Sequence, residues 1–135
     1  MSVLGLDLPP PRVLIVDDEV DNRQLLGIML KCGGFETQTA NDGEEALLSV
    51  AANPPDVILV DLLMPGIDGY QLTAQLKQNA KSAGIPVIML SAMDDSATRK
   101  RALSSGAAAY VTKPIDRSEL CEQVRSVLRL KAPRA

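Results

Sequence analysis

The sequence predicts an α/β fold, a five-stranded parallel sheet wound in both directions so that helices cover each face in a three-layer sandwich. Three observations predict it. Apolar runs of four to six residues alternate with longer stretches of helical periodicity, the pattern of repeated β-α units. The run Val57-Ile58-Leu59-Val60 is apolar throughout, as a strand covered on both faces must be. The runs also end in polar chemistry: Asp17-Asp18 follow Val13-Leu14-Ile15-Val16, Asp61 follows Val60, Ser91 follows the fourth run and Lys113 the fifth.

Taken in order, the first strand covers about Arg12 to Val16, and a helix follows whose apolar face is read as Leu25, Ile28, Met29 and Cys32, stopped by Gly33-Gly34. The second strand, Phe35 to Thr39, is polar at alternate positions and is expected at an edge. Asn41 with Glu44 resembles a capping box opening the second helix, which runs to about Ala52. Asn53-Pro54-Pro55 ends it and leads into the third strand, Val57 to Val60. Leu62 to Ile67, with Pro65-Gly66 inside, is a loop. Asp68 with Gln71 caps the third helix, which buries Leu72 and Leu76. The fourth strand is Pro86 to Leu90. A fourth helix, about Asp95 to Ser104, is rich in Ala, Ser and Arg and is expected to be the least firmly packed element. The fifth strand is Ala108 to Val111, and Asp116 with Glu119 caps a last helix burying Leu120, Val124, Val127 and Leu128. Residues 1–11 and 131–135 are set aside as tails, the second a possible linker start, around one domain over 12–130.

Composition narrows the chemistry. At 135 residues there is room for one domain and no second, output-carrying one. With one Phe, two Tyr and no Trp, base-stacking platforms are not expected. Net charge is -3 and the basic residues are dispersed apart from Arg99-Lys100-Arg101, which argues against direct nucleic-acid binding and for a protein partner. Histidine is absent, which excludes Ser-His-Asp hydrolysis, imidazole base catalysis and His-ligated zinc. No apolar run approaches the ~20 residues that span a bilayer, and the first residues lack the pattern of a signal peptide, so no membrane association is expected and the cytoplasm is the expected compartment. Cys32 and Cys121 are read as buried, reduced thiols. Each crossover helix runs back from the strand carboxyl ends; Cys32 ends one helix and Cys121 nearly begins another. They are therefore expected at opposite ends of the sandwich, with no disulfide between them.

In a doubly wound sheet the crevice lies outside the strand carboxyl ends, and Asp17, Asp18, Asp61, Ser91 and Lys113 all fall there. Carboxylates are costly to desolvate unless compensated, so three of them on one rim read as a metal and phosphate site. Singly, each has a plainer reading: a helix cap, a turn residue or a solvated cation.

Val-Asp-Asp-Glu after the first strand, Val-Asp-Leu-Leu-Met-Pro-Gly-Ile-Asp-Gly after the third, Leu-Ser-Ala after the fourth and Tyr-Val-Thr-Lys-Pro after the fifth resemble the receiver domain of two-component response regulators, over about residues 12 to 130. That resemblance implies the flavodoxin-like strand order 2-1-3-4-5. It implies that Asp61 accepts a phosphoryl group from a phosphohistidine on a histidine kinase or histidine phosphotransfer protein. It implies Mg²⁺, for which Mn²⁺ can substitute, held by Asp18, Asp61 and the Leu63 backbone carbonyl, with Asp17 acting mainly through water. Lys113, Ser91 and the backbone of Ala92 would contact the phosphoryl oxygens. Ser91 and Tyr110 would form a switch read on the fourth helix, fifth strand and fifth helix by an effector protein or output domain, or by a second copy. The Lys113-Pro114 bond would be cis. The protein would be a signalling phosphoacceptor and not a multiple-turnover enzyme. Leu63 and Met93, two residues beyond Asp61 and Ser91, offer no side chain to orient water, which implies a long-lived phosphoryl state.

Two other functions compete. Phosphatases of the haloacid-dehalogenase type also use a strand-end Asp, but they need a second Asp two residues on, where this chain has Leu63. A phosphorylation-independent docking module of the same fold is the alternative; its relatives usually lose an acid or the lysine, all of which are present here.

Overall fold

The computed structural model describes residues 9–130; the first eight residues of the expected N-terminal tail and the whole expected C-terminal tail, 131–135, lie outside the described residues. The chain alternates β1 (Arg12–Val16), α1 (Val20–Cys32), β2 (Glu36–Ala40), α2 (Gly43–Ala52), β3 (Val57–Asp61), α3 (Gly69–Gln78), β4 (Val87–Ser91), α4 (Ser96–Ser104), β5 (Ala109–Thr112) and α5 (Arg117–Leu130). The strands form one sheet in the order β2-β1-β3-β4-β5, every pairing parallel. β2, the most polar strand, lies at an edge as its alternation predicts. No helix among the described residues is long and apolar enough to cross a membrane.

Strand side chains alternate between the faces, and the core divides accordingly. Val13, Ile15, Val57, Leu59, Ile88 and Leu90 pack with Leu26 and Leu30 of α1 and with Leu120, Val124 and Val127 of α5. Leu14, Val16, Ile58 and Val60 face the other way, onto Ala46 and Val50 of α2 and Leu72 and Leu76 of α3. A third, smaller cluster joins Leu62, Met89, Ala102 and Ala107, with Tyr70 and Tyr110 against it. α4 contributes little to it: Thr98 and Ala102 are its buried residues.

Local chemistry sets most boundaries. Asp68 and Gln71 form the expected capping box at α3, and the Asp95 and Asp116 carboxylates accept from the Thr98 and Glu119 amides. The α2 cap falls one residue later than expected. Asp42, not Asn41, accepts from the Glu45 amide, while the Glu45 carboxylate reaches back to the Asn41 amide at 2.7 Å. β2, β4 and β5 each start one residue later than the sequence reading.

Three expectations are corrected. The buried face of α1 is Leu26, Gly27 and Leu30, with Met29 half-buried, whereas Leu25 is 52% exposed, Ile28 61% and Cys32 exposed. Apolar residues lie nearly all round this helix, so spacing alone admits more than one phase, and contact with the sheet selects the Leu26–Leu30 row. The two cysteines are also not at opposite ends. They line one surface cavity, and the Cys121 thiol lies under the Gly33 turn that closes α1. Both are free, Cys32 exposed and Cys121 buried. Leu128, expected in the α5 core, is only partly buried.

Candidate functional site

The register places the polar strand ends on one rim. Val16 pairs with Val60, Asp61 with Leu90 and Ser91 with Thr112, so the residues at or just beyond these ends are neighbours across the sheet. Asp17, Asp18 and Asp61 each bring one carboxylate oxygen within 4.8 Å of the others, the one such group of three or more potential metal ligands among the described residues. The Lys113 ammonium meets Asp61 Oδ1 at 3.0 Å.

Each carboxylate is held differently. Asp17 is fully buried; its Oδ1 accepts from the Glu19 amide at 2.9 Å, while Oδ2 is buried with no hydrogen-bond partner. Arg23 fixes the same turn, donating to the Asp17 carbonyl and the Asn41 side chain. Asp18 is exposed. Asp61 is 7% exposed, and burial pushes its carboxyl above the ordinary value of 3.8; Lys113 opposes this and the charges of Asp17 and Asp18 add to it. A buried orphan oxygen on Asp17 beside two more carboxyl groups, one of which, Asp61, resists ionisation, makes a donor set suited to a hard divalent cation.

The other predicted residues lie around this cluster. Ser91 is buried; its Oγ accepts from the Met93 amide at 3.1 Å and its carbonyl from the Lys113 amide at 2.8 Å, so β4 positions the lysine backbone directly. The Lys113–Pro114 bond is cis. Ala92 is exposed at the start of the β4–α4 loop, and Leu63 and Met93 are 66% and 44% exposed. Tyr110 is half-buried beside α4, its hydroxyl donating to the Met93 carbonyl.

Sequence reasoning passed over three features. Gly69 lets α3 begin against the site loop, where a Cβ would stand 2.9 Å from Leu62 Cα and 3.1 Å from the Asp61 carbonyl oxygen. Arg99 reaches from α4 to β5, donating to the Thr112 hydroxyl at 2.8 Å with its guanidinium 5.1 Å from the Tyr110 ring centre. A mostly apolar cleft of about 230 Å³ borders the acids, walled by Leu25, Leu26 and Met29 of α1 and by Lys113, Pro114 and Ile115. The surplus of apolar residues on α1 was the one signal for it.

The family model for the response regulator receiver domain matches residues 13–125. Response regulator PleD of Caulobacter vibrioides is 42% identical over 120 residues, 89% of this chain and 26% of the relative. The DNA-binding dual master transcriptional regulator RpaA of Synechocystis is 36% identical over 119 residues, 88% of this chain and 49% of the relative. The chain thus spans between about a quarter and a half of the length of these curated relatives. Among solved structures, a putative response regulator from Chloroflexus aurantiacus superposes with a TM-score of 0.86 at 36% identity, covering 89% of this chain and 98% of the other. The receiver domain of a sensor histidine kinase from Pseudomonas aeruginosa, described with a magnesium ion coordinated in its active-site cleft, gives 0.82 at 28% identity, covering 89% and 98%.

Proposed function

The chain belongs to the response regulator receiver family, and from that premise we propose that Asp61 accepts a phosphoryl group from a phosphohistidine on a histidine kinase or phosphotransfer protein. One observation carries the proposal: three carboxylates within 4.8 Å of one another on the strand-end rim, with the Lys113 ammonium 3.0 Å from Asp61. These 135 residues contain no imidazole, so the donor phosphohistidine lies outside them.

The transfer breaks the nitrogen–phosphorus bond of the donor, whose ring nitrogen keeps the electron pair, and forms a bond from an Asp61 oxygen to phosphorus. Asp61 attacks as the anion. Lys113 favours that form through its ion pair, then offers its ammonium to a phosphoryl oxygen. Ser91 Oγ, now an acceptor from the Met93 amide, is the side-chain donor for a second oxygen, and the Ala92 amide is a backbone donor for a third. The side chains of Asp18 and Asp61 with the Leu63 carbonyl would hold Mg²⁺, or Mn²⁺ in its place, with Asp17 acting mainly through water. A bound divalent cation supplies the positive charge that lets an anionic phosphoryl group approach three carboxylates. Nothing in this chemistry consumes a further substrate, so the protein acts as a phosphoacceptor and not as a multiple-turnover enzyme.

The added dianion draws Ser91 toward it, and the Ser91–Met93–Tyr110 linkage passes that movement to α4 and β5. The α4-β5-α5 surface is then the face read by an effector protein, an output domain or a second copy of the chain. α4 suits the role because so little of it is buried. The test is intact mass after incubation with Mg²⁺ and acetyl phosphate, beside Asp61→Ala. We expect a gain of one phosphoryl mass, dependent on Mg²⁺ and absent from the variant. No gain, with no spectral response to beryllium fluoride, would leave the phosphorylation-independent docking module as the function.

A further inference from the structure

Cys32 and Cys121 take no part in the phosphoacceptor site, yet both line one surface cavity of about 480 Å³ together with Arg117 and Arg125. Cys32, the last residue of α1, is exposed; Cys121, in α5, is buried with its thiol directed at the Met29 carbonyl at 3.6 Å. What stands over the Cys121 sulfur is the residue after Cys32. An ideal Cβ on Gly33 would fall 2.6 Å from Cys121 Sγ, so any side chain there would displace the thiol, and glycine leaves it open toward the end of α1. With a carbon–carbon bond of about 1.5 Å, that sulfur lies within about 4 Å of Gly33 Cα, and one further Cα–Cα step of about 3.8 Å reaches Cys32. The Cys121 sulfur is therefore no more than about 8 Å from Cys32 Cα. Gly33 and Gly34, the latter at φ +93, follow Cys32 directly, so the turn that must yield to close the remaining gap carries no side chains.

We propose that Cys32 and Cys121 form a dithiol site for hydroperoxides, joined on oxidation by a reversible disulfide that ties α1 to α5. The exposed Cys32 sulfur attacks the peroxide. A sulfur–oxygen bond forms, the oxygen–oxygen bond breaks, and the departing oxygen leaves as water or alcohol with the thiol proton, giving a sulfenic acid. The Cys121 sulfur then attacks the Cys32 sulfur. The disulfide forms, the sulfur–oxygen bond breaks, and the hydroxyl leaves as water with the Cys121 proton. Two thiols are oxidised and one hydroperoxide is reduced, so no other reactant is required. Glu122 lines the same cavity and pairs with Arg125 at 3.8 Å, so the Arg117 guanidinium is the group that offers positive charge to the oxygen as it departs. The bridge closes at a junction that matters to the rest of the molecule: α1 follows the Asp17-Asp18 turn, α5 follows Lys113, and the two helices pack on the same face of the sheet.

The test treats the reduced protein with hydrogen peroxide and reads intact mass, thiol alkylation and a peptide map, none of which depends on phosphorylation. We expect loss of two hydrogen masses, loss of both alkylatable thiols, a Cys32–Cys121 crosslink reversed by dithiothreitol, and monomers on a non-reducing gel. Cys121→Ser should stop at a Cys32 sulfenic acid that dimedone traps. Crosslinking should be faster in the folded protein than in urea, because the fold supplies the proximity. Persistence of both thiols, linkage only between separate chains, or faster closure in urea would overturn the proposal.

Discussion

At the scale of single residues, Asp61 carries an unfavourable charge when no cation compensates it. Burial raises its carboxyl above the ordinary value of 3.8, so the folded state holds that proton more tightly than the unfolded chain does. The sign follows: stability falls as pH rises from about 3.8 through the raised value, and the loss persists at neutral pH. Asp61→Asn keeps the shape and an acceptor for Lys113 but removes the charge. In EDTA at pH 7 it should be more stable to urea than the parent, the difference closing in acid. Equal or lower stability at pH 7 would show that the Lys113 pair outweighs desolvation. Leu63 and Met93 bear on a separate prediction, the lifetime of the proposed aspartyl phosphate. They project from the two site loops, 66% and 44% exposed, and neither can accept a hydrogen bond from water as a carboxylate or amide does. The double variant Leu63→Asn, Met93→Glu should shorten the aspartyl-phosphate half-life by roughly tenfold or more, followed by loss of the phosphoryl mass with time. An unchanged or longer half-life would mean that water reaches the acyl phosphate unaided.

At the scale of elements, α4 depends heavily on its cap. Thr98 donates to Asp95 through both its amide and its hydroxyl, at 3.0 and 2.8 Å, and those bonds hold the Asp95 carboxyl below the ordinary range. A depressed carboxyl stabilises above its unfolded value, and that contribution is lost as pH falls through the folded one. Asp95→Ala should therefore speed amide exchange in α4 several-fold at neutral pH while leaving α3 and α5 unchanged, and the contrast with the parent should fade below pH 3.8. If exchange rises equally across the sheet, α4 does not open as a separate unit. Two caps could be read from the sequence because they join residues three apart, Asp68 with Gln71 and Asp116 with Glu119, whereas at α2 adjacent candidates, Asn41 and Asp42, each with a Glu three residues on, left the choice one residue out. The strand ends could be read for a similar reason, since a parallel strand buried on both faces is a continuous apolar run and its end is visible. The phase of α1 could not be, because Leu25, Leu26, Ile28, Met29 and Leu30 allow several faces and the sheet makes the choice. Nor could the meeting of Cys32 with Cys121, or of Arg99 with Thr112, which depend on how far each helix slides along the sheet and which side chains then come opposite.

At the scale of the whole molecule, the site draws on four strands: Asp17 and Asp18 follow β1, Asp61 ends β3, Ser91 ends β4 and Lys113 follows β5. The acids converge only when β1 and β3 are paired in register, so the unfolded chain has no equivalent cation site. A ligand that binds the folded state alone stabilises the entire cooperative unit. At ten times its dissociation constant Mg²⁺ would add about 1.4 kcal/mol, which for a domain of this size raises the thermal midpoint by roughly 4 to 6 °C. Asp18→Asn is the informative control, because Asp18 is exposed and its loss should leave folding intact while removing one charge from the cluster. The variant should unfold near the parent's midpoint in EDTA and gain much less from Mg²⁺. Potassium chloride at matched ionic strength separates site binding from screening, which acts on all exposed charges alike. A midpoint that rises equally in parent and variant, or equally with potassium, would mean that the three carboxylates do not act as a cation site, and the electrostatic argument for phosphoryl acceptance at Asp61 would fall with it.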